Sequence, residues 1–151
     1  MDVRKLISEY FESAQLLQII TSINDQPWAA TVFFAYDDDL NLYWISRTDR
    51  RHSQEINQNH NVAGVIVKYH TYSEKVRGIQ LVGTAEELMG EEEEKCMQIY
   101  QKRYSFPRAR VLNPSTEDEN EKKVLYRLKP TYIVLFDEVN FPENPRQEFR
   151  P

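Results

Sequence analysis

The 151-residue sequence is poor in cysteine and in long apolar runs, and this excludes several classes of protein. Its one cysteine, Cys96, excludes an internal disulfide and suits a reducing compartment. No apolar run approaches the roughly 18 residues that a membrane-spanning helix needs. The charged N-terminus lacks the apolar core of a signal peptide. We therefore expect a cytoplasmic protein with no membrane-embedded part.

Metal-ligand and nucleophile motifs are also scarce. The three histidines, His52, His60 and His70, have neither HExxH spacing nor cysteine partners, so we expect no metal site. The sequence contains no GxSxG elbow, P-loop or GxGxxG motif. Cys96 lies among glutamates, which disfavour a thiolate, and is expected to be a packing residue. The catalytic residues stay unknown; His52 and Tyr43 are acid–base candidates only by their position.

The balance of charge is acidic. The formal net charge is −5, which argues against a nucleic-acid-binding surface. The clearest basic cluster consists of Arg47, Arg50, Arg51 and His52. A local basic cluster on an acidic protein favours a small anionic ligand over a polyanion such as nucleic acid.

Hydrophobic patterning predicts a mainly β domain with peripheral helices. Six apolar or alternating segments are separated by polar turns, which favours antiparallel pairing. The predicted strands are 16–23, 28–36, 40–46, 62–69, 76–88 and 124–139. The remaining parts are helices at 1–14, 50–59 and 90–104, a loop at 105–123, and an irregular tail at 140–151. We expect one domain, residues 1–151, built as a small six-stranded antiparallel barrel.

The clearest functional pattern is a strand that ends near Ser46 and leads into a short helix. That helix is predicted to begin near Arg50, with Thr48 or Asp49 as its N-cap. Arg50 and Arg51 then lie at the helix N-terminus, where the macrodipole disfavours cations. The helix has little apolar surface to bury, so packing alone does not explain it.

Two explanations fit these arginines. In the first, a phosphate binds the free backbone N–H groups, the hydroxyls of Ser46 and Thr48, and both guanidinium groups. In the second, the helix start is exposed to solvent and the arginines pair with aspartates at 37–39 or 49. These residues alone favour neither explanation.

Aromatic residues are frequent in the second and third predicted strands. Most are expected in the core, but strand alternation places some on the outer face of a barrel. Exposed rings there require a cover, which is either a ligand ring or a second subunit. The residues concerned are Trp28, Phe33, Phe34, Tyr36, Tyr43 and Trp44.

The order of several motifs resembles the pyridoxamine 5′-phosphate oxidase-like family of FMN-binding split β-barrels. The motifs are a small-residue strand, a DDD turn, LYWIS, RRHSQEINQN, VAGVIV, GIQLVGTAEEL and LKPTYIVLFDEVNF. The resemblance covers about residues 16–141 and looks closest to a small bacterial branch of the family. It implies a six-stranded antiparallel split β-barrel that forms a homodimer, with FMN in a groove at the interface.

The resemblance also implies a set of FMN-binding residues. The phosphate would contact Arg50 and Arg51, helped by Ser46 and Thr48, and His52 belongs to the same cluster. The flavin ring would lie along the second strand, at Ala29, Ala30, Thr31 and Val32. Trp44 and Ile45 of the third strand would line the same groove, and Gln80 would reach the ring from the partner subunit.

The implied activity is that of an FMN-dependent oxidoreductase acting on an unidentified small substrate. The Arg-Leu-x-Pro type of ending found in the true oxidase is absent, so oxidation of vitamin B6 is not expected. The alternative is a non-catalytic module that binds or senses a flavin, the deazaflavin F420 or haem. A third reading is a partner-binding barrel with an empty groove.

Overall fold

The structure, a computed structural model, describes residues 1–105 and 122–151. The helices are α1 (Val3–Ser13), α2 (Arg51–Gln58) and α3 (Gly90–Tyr104). The strands are β1 (Leu16–Ile23), β2 (Gln26–Phe33), β3 (Ala35–Tyr36), β4 (Leu42–Arg47), β5 (Asn61–Ile66), β6 (Arg77–Glu87), β7 (Lys123–Asp137) and β8 (Arg146–Phe149). The loop predicted at 105–123 lies almost wholly outside the described residues. Within the described residues, no helix is long and apolar enough to cross a membrane.

All described strands belong to one antiparallel sheet. Its order is β2-β1-β5-β6-β7-β4-β3, and β8 pairs with β7 beyond the end of β4. The register shifts between Val82 and Gly83, opposite Pro130, and such a bulge bends the sheet. Only glycine fits at this bulge, because a Cβ on Gly83 would lie 2.1 Å from the carbonyl oxygen of Lys129.

The sheet curls around a core formed by its inner face. Trp44 of β4 stacks on Tyr126 of β7 with 5.7 Å between the ring centroids, and both side chains are fully buried. Phe11 of α1 packs edge-on against Phe34 in the same core. The predicted antiparallel split barrel is therefore confirmed; the second of the six predicted strands divides into β2 and β3, and β8 is an additional short strand.

Helix α3 covers the outer face of β4 and β7. Arg127 of β7 lies almost fully buried and donates hydrogen bonds to Glu86 at 2.8 Å and to Glu92 of α3 at 2.5 Å. Cys96 is buried in the same layer, with its Sγ 3.7 Å from the Tyr43 hydroxyl. The expected packing role of Cys96 is confirmed.

Two predicted boundaries in the first hairpins were wrong. The second strand was expected at 28–36, but it breaks at Phe34, whose backbone N–H donates to the carbonyl oxygen of Gln15 while its ring enters the core. Pro27 was expected in the turn but lies in β2. A proline is tolerated there because β2 is an edge strand.

Two further expectations are corrected. Helix α2 begins at Arg51 with Arg50 as N-cap residue, and neither Thr48 nor Asp49 caps it. The tail at 140–151 is not irregular throughout, since 146–149 form β8. Phe149 of that strand packs against the main core, and this packing explains why residues 146–149 form a regular strand.

The sheet is split between β2 and β4. Within the described residues, β2 has a strand neighbour only on its β1 side, and β3 pairs with β4 only at Leu42 and Tyr43. One edge of β2 and the later part of β4 therefore face each other without pairing. This opening places the candidate site.

Candidate functional site

A cavity of about 370 Å³ lies at the split between β2 and β4. Its walls combine apolar side chains with hydroxyl and cationic groups from β2, β4, α2, α3 and β7. The lining residues are Thr31, Val32, Phe33, Ile45, Ser46, Arg47, Arg50, His52, Tyr100 and Lys123. Because the facing strand edges carry no sheet partner, backbone groups are available beside the cavity.

The polar end of the cavity is built around His52 and Ser46. His52 Nε2 lies 2.9 Å from Ser46 Oγ, and each residue is only 9% exposed. Burial lowers the pKa of His52, and the positive charge of Arg50 lowers it further. The imidazole is therefore neutral at neutral pH and forms a fixed pair with the hydroxyl.

The start of α2 lies at the same end of the cavity. Among the described residues, no side chain caps the helix at Arg50, although the first backbone N–H groups of a helix need partners. Ser53 anchors the first turn by donating from Oγ to the Arg47 carbonyl oxygen at 2.8 Å. The helix start is thus held against β4 with its amide groups beside Arg50 and His52.

The cations around the cavity differ in their partners. Arg47 forms a two-pronged ion pair with Asp49, at 3.0 and 2.5 Å. This guanidinium holds the pKa of the Asp49 carboxyl below its usual range. Among the described residues, no carboxylate lies within ion-pair distance of Arg50 or Lys123. These two cations are the ones left to meet an anionic ligand.

The structure brings together half of the residues expected at the cofactor site. Thr31, Val32, Ile45, Ser46, Arg50 and His52 all line the cavity. Ala29 and Ala30 lie farther along β2, outside the lining. Thr48 also lies outside the lining, and its backbone N–H donates to the Lys122 carbonyl oxygen at 2.9 Å.

Arg51 does not point into the cavity. Its Nε donates to Glu55 at 2.7 Å, and its guanidinium lies 4.3 Å from the centre of the Trp28 ring. Glu55 also accepts from the Thr21 hydroxyl at 2.9 Å. The structure therefore places Arg51 among local partners outside the cavity lining, whereas it was expected beside Arg50 at the phosphate.

Trp44 and Gln80 also lie away from the cavity. Trp44 was expected to line the groove, but it is on the inward face of β4 and fully buried against Tyr126. Gln80 is exposed on the outer face of β6, opposite Val65 and Val134. Tyr43, considered as an acid–base candidate, donates to Asp37 beneath α3, and burial raises its pKa. It has no access to the cavity.

Four lining residues were missed as site residues. Phe33 was noted only as an aromatic strand residue and Arg47 only as part of the basic cluster, while Tyr100 and Lys123 were assigned to other elements. The pairing of Lys123 with Arg47 across β4 and β7 brings this lysine to the site. Tyr100 reaches it because its hydroxyl donates to the Phe33 carbonyl oxygen at 3.4 Å. Contacts between segments so distant in sequence leave no local motif.

A metal centre finds no support in the parts of the chain that the structure describes. Across residues 1–105 and 122–151, no three histidine, cysteine or acidic side chains are grouped so that they could hold a metal ion. His60 and His70 each place Nδ1 within about 3 Å of a backbone carbonyl oxygen, at 2.9 and 3.1 Å respectively.

The curled antiparallel sheet, open between β2 and β4, defines the molecule as a split β-barrel. Residues 3–136 match the family described as pyridoxamine 5′-phosphate oxidase, and the chain belongs to this family. It is 29% identical over 145 residues to a UPF0306 protein of Klebsiella pneumoniae. That alignment covers 95% of this chain and 87% of the relative.

Two solved structures share the fold. A FAD-binding protein from Mesorhizobium loti superposes with a TM-score of 0.65 at 14% identity, covering 88% of this chain and 92% of the other. A haem-binding protein from Mycobacterium smegmatis gives a TM-score of 0.70 at 12% identity, covering 95% and 57%. At these identities the likeness concerns the fold alone.

Proposed function

We propose that this chain is an FMN-binding flavoprotein that acts as an oxidoreductase on a small substrate. The observation that carries the proposal is the buried pair of Ser46 and His52, with Arg50 beside it, at the end of the split cavity. A hydroxyl, an imidazole and an unpaired guanidinium next to an uncapped helix start form a donor set suited to a phosphate monoester.

The rest of the cavity fits the flat ring of a flavin. Phe33, Ile45 and Tyr100 supply apolar contacts, and the facing edges of β2 and β4 supply backbone donors and acceptors for the edge of the ring. The volume of about 370 Å³ falls in the range of roughly 300–1,000 Å³ typical of small-ligand sites. The residues present therefore fit FMN.

Binding and orientation are the tasks that this chain performs in the proposal. When bound, FMN supplies the hydride or electron transfer. Ser46, Arg50 and His52 hold the phosphate, while Thr31 and Val32 place the ring edge along β2. We assign no general acid or base, because the buried imidazole of His52 is committed to Ser46.

We further propose that the protein is a homodimer with the cofactor at the interface. The outer apolar face of β1, β2, β5 and β6 carries Leu16, Phe33, Val67 and Val82, each at least 40% exposed. Phe33 belongs both to this face and to the cavity. A second subunit on the face would cover the exposed apolar surface and complete the groove.

The cofactor proposal is tested by the visible spectrum of the freshly purified protein and by titration of the apoprotein with FMN. We expect a flavin spectrum, or quenching of FMN fluorescence that saturates at one FMN per chain. Riboflavin, which lacks the phosphate, should bind much more weakly. A colourless protein that also fails to bind added FMN would overturn the proposal.

The oxidoreductase part is separated from a binding or sensing role by kinetics. The dithionite-reduced holoprotein should be reoxidised by an acceptor, such as a quinone or nitro compound, faster than free reduced FMN. If every acceptor reoxidises both at the same rate, a non-catalytic module is the better description. The flavoprotein is proposed to be cytoplasmic, in keeping with its single cysteine.

Haem is the second candidate, because the fold is shared with a haem-binding protein. A haem iron usually needs an axial side chain, and the one histidine in the cavity, His52, points its Nε2 at Ser46. Titration with haemin under the same conditions discriminates the two cofactors. Saturable growth of a Soret band without FMN binding would favour haem.

A further inference from the structure

The pair of His52 and Ser46 lies among cationic side chains. The imidazole is buried and shares the cavity lining with Arg47, Arg50 and Lys123, and the charge of Arg50 disfavours a positive charge on the ring. The opposing carboxylate at this end, Asp49, is already paired with Arg47.

The other elements that pack nearby do not offset these charges. The α3 group at the cavity is the phenol of Tyr100, and burial raises its pKa, so it is neutral. On α2 itself, Glu55 accepts from Arg51 and from Thr21 of β1. Without a ligand, the described residues around His52 offer no uncompensated negative charge that would stabilise an imidazolium.

A dianion bound in the cavity favours the protonated form of the His52 imidazole over the neutral form. A phosphate monoester carries close to two negative charges at pH 7, with a second pKa of about 6. Placed beside this buried imidazole, such a charge favours the protonated ring, because opposite charges within a few ångströms raise the pKa of a histidine. The same group then changes from a neutral hydrogen-bond partner to a cation.

We propose that His52 takes up one proton from solvent when the cavity binds a dianionic phosphate, and that this proton makes the site selective for the phosphorylated form of the flavin. Nε2–H of the imidazolium donates to Ser46 Oγ, and the Ser46 hydroxyl donates to a phosphate oxygen. No covalent bond is made or broken; one proton moves from the buffer to the imidazole. The inference rests on the proposed function and deepens it.

The inference predicts how binding depends on pH. With one linked proton, the ratio of the affinities for FMN and riboflavin rises by at most tenfold for each pH unit as the pH falls from 8 to 6.5. The slope falls short of this limit where His52 is only partly protonated in the complex or already partly protonated in the free protein, and where the phosphate itself binds a proton near its second pKa of about 6.

Calorimetry measures the proton directly. FMN is titrated into the apoprotein at pH 7.5 in buffers that differ in ionisation enthalpy, and riboflavin serves as the matched ligand without phosphate. We expect an uptake of between zero and one proton for each FMN, and none for riboflavin. The resonances of the His52 ring nitrogens in the wild-type protein should change from the neutral to the protonated pattern when FMN is added.

Variants separate the role of the proton from that of the hydrogen bond. His52→Gln can still bond Ser46 but cannot be protonated, so it should bind FMN without proton uptake and more weakly than the wild type at pH 6.5. His52→Lys carries a permanent charge and should bind FMN with little dependence on pH. Ser46→Ala should reduce the uptake while leaving His52 in place.

The outcomes distinguish this inference from the proposed function. FMN binding without proton uptake, and with His52 neutral in the complex, overturns the inference and leaves the flavoprotein proposal intact. Failure of the wild-type protein to bind FMN overturns both. Uptake that persists unchanged in His52→Gln assigns the proton to another group and also overturns the inference.

Discussion

The guanidinium carbon of Arg51 lies 4.3 Å from the centre of the Trp28 ring, while its Nε donates a 2.7 Å hydrogen bond to Glu55. This arrangement holds Arg51 against Trp28 near the start of β2, away from the residues that line the cavity. Arg50, one residue earlier, lines the cavity and has no ion-pair partner among the described residues. Adjacent arginines at one helix start therefore have different surroundings, and the two can be tested as a matched pair.

Arg50→Ala should weaken FMN binding by roughly 10- to 150-fold. A charge-assisted hydrogen bond to phosphate is worth about 1.5–3 kcal/mol, which corresponds to that range of affinity. Arg51→Ala is the control and should change the affinity by much less. Fluorescence-quenching titrations of both variants measure the difference. Equal losses in the two variants would contradict the assignment of Arg50 to the cavity.

Glu55 should stabilise the fold in a pH-dependent way. Its hydrogen bond from Arg51, helped by that from Thr21, lowers the pKa of the Glu55 carboxyl in the folded state. A lowered pKa means that the stabilisation is present above the unfolded-state pKa of about 4.5 and is lost as the pH falls through the folded-state value. Glu55→Gln should therefore lower the free energy of unfolding at pH 7, and the deficit should shrink towards pH 4.

Urea unfolding of the wild-type protein and of Glu55→Gln at several pH values checks this expectation. Glu94→Gln on the exposed surface of α3 is the control, because Glu94 has no ion pair among the described residues. A deficit that stays constant from pH 7 to pH 4 would show that the charge of Glu55 is not its source.

Trp44 should matter for folding and not for flavin binding. Its ring is fully buried and stacked on Tyr126, and truncation of a buried aromatic residue typically costs about 3–5 kcal/mol. We expect Trp44→Ala to lose about that much unfolding free energy. Trp44→Phe should lose less and should bind FMN as the wild type does. A large loss of FMN affinity in a well-folded Trp44→Phe variant would show that Trp44 takes part in cofactor binding.

Arg127 should anchor α3 to the sheet. Its guanidinium is nearly buried and donates to Glu86 and to Glu92. Both carboxylates are about half exposed, so solvent screens the ion pairs. We expect Arg127→Ala to lower the free energy of unfolding by about 1–3 kcal/mol. Glu86→Gln and Glu92→Gln should each cost less, since one charge-assisted bond remains in either variant.

A charge on the outer apolar face should dissociate the proposed homodimer. Val82 is 44% exposed on this face and lies outside the split cavity, so Val82→Glu should leave the fold intact. Analytical ultracentrifugation should show a dimer for the wild type and a monomer for Val82→Glu. Lys95→Glu, which changes the charge on α3, should remain dimeric. A wild-type monomer at all concentrations would contradict the dimer proposal.

Much of the fold could be predicted because its patterns are local. The apolar residues of 16–23 predicted a strand, which the structure has as β1. Asp2, within the predicted helix at 1–14, accepts a hydrogen bond from the Lys5 amide as the N-cap of α1. Glutamates fill the first turn of α3 and basic residues the last, which suits the macrodipole of the helix predicted at 90–104. Errors arose where tertiary packing overrode local preference, as at Phe34.

The candidate site was predictable only in part. Ser46, Arg50 and His52 lie within seven residues, so a single basic segment after a strand revealed them. The same pattern misplaced Arg51, because its compensation by Glu55 and Trp28 depends on how α2 crosses β1 and β2. The pattern also could not reveal Lys123, which reaches the cavity through its pairing with Arg47.

The order of residues along the chain determined that antiparallel strands alternate with short helices and that a basic segment follows the strand ending at Arg47. The three-dimensional packing decided which of those basic groups are free. Side chains close in sequence share a helix turn, yet the strand edge or aromatic ring beside each one is set by pairings between separate segments of the chain. For that reason Arg50 meets the opening between β2 and β4, while Arg51 is held against an indole ring.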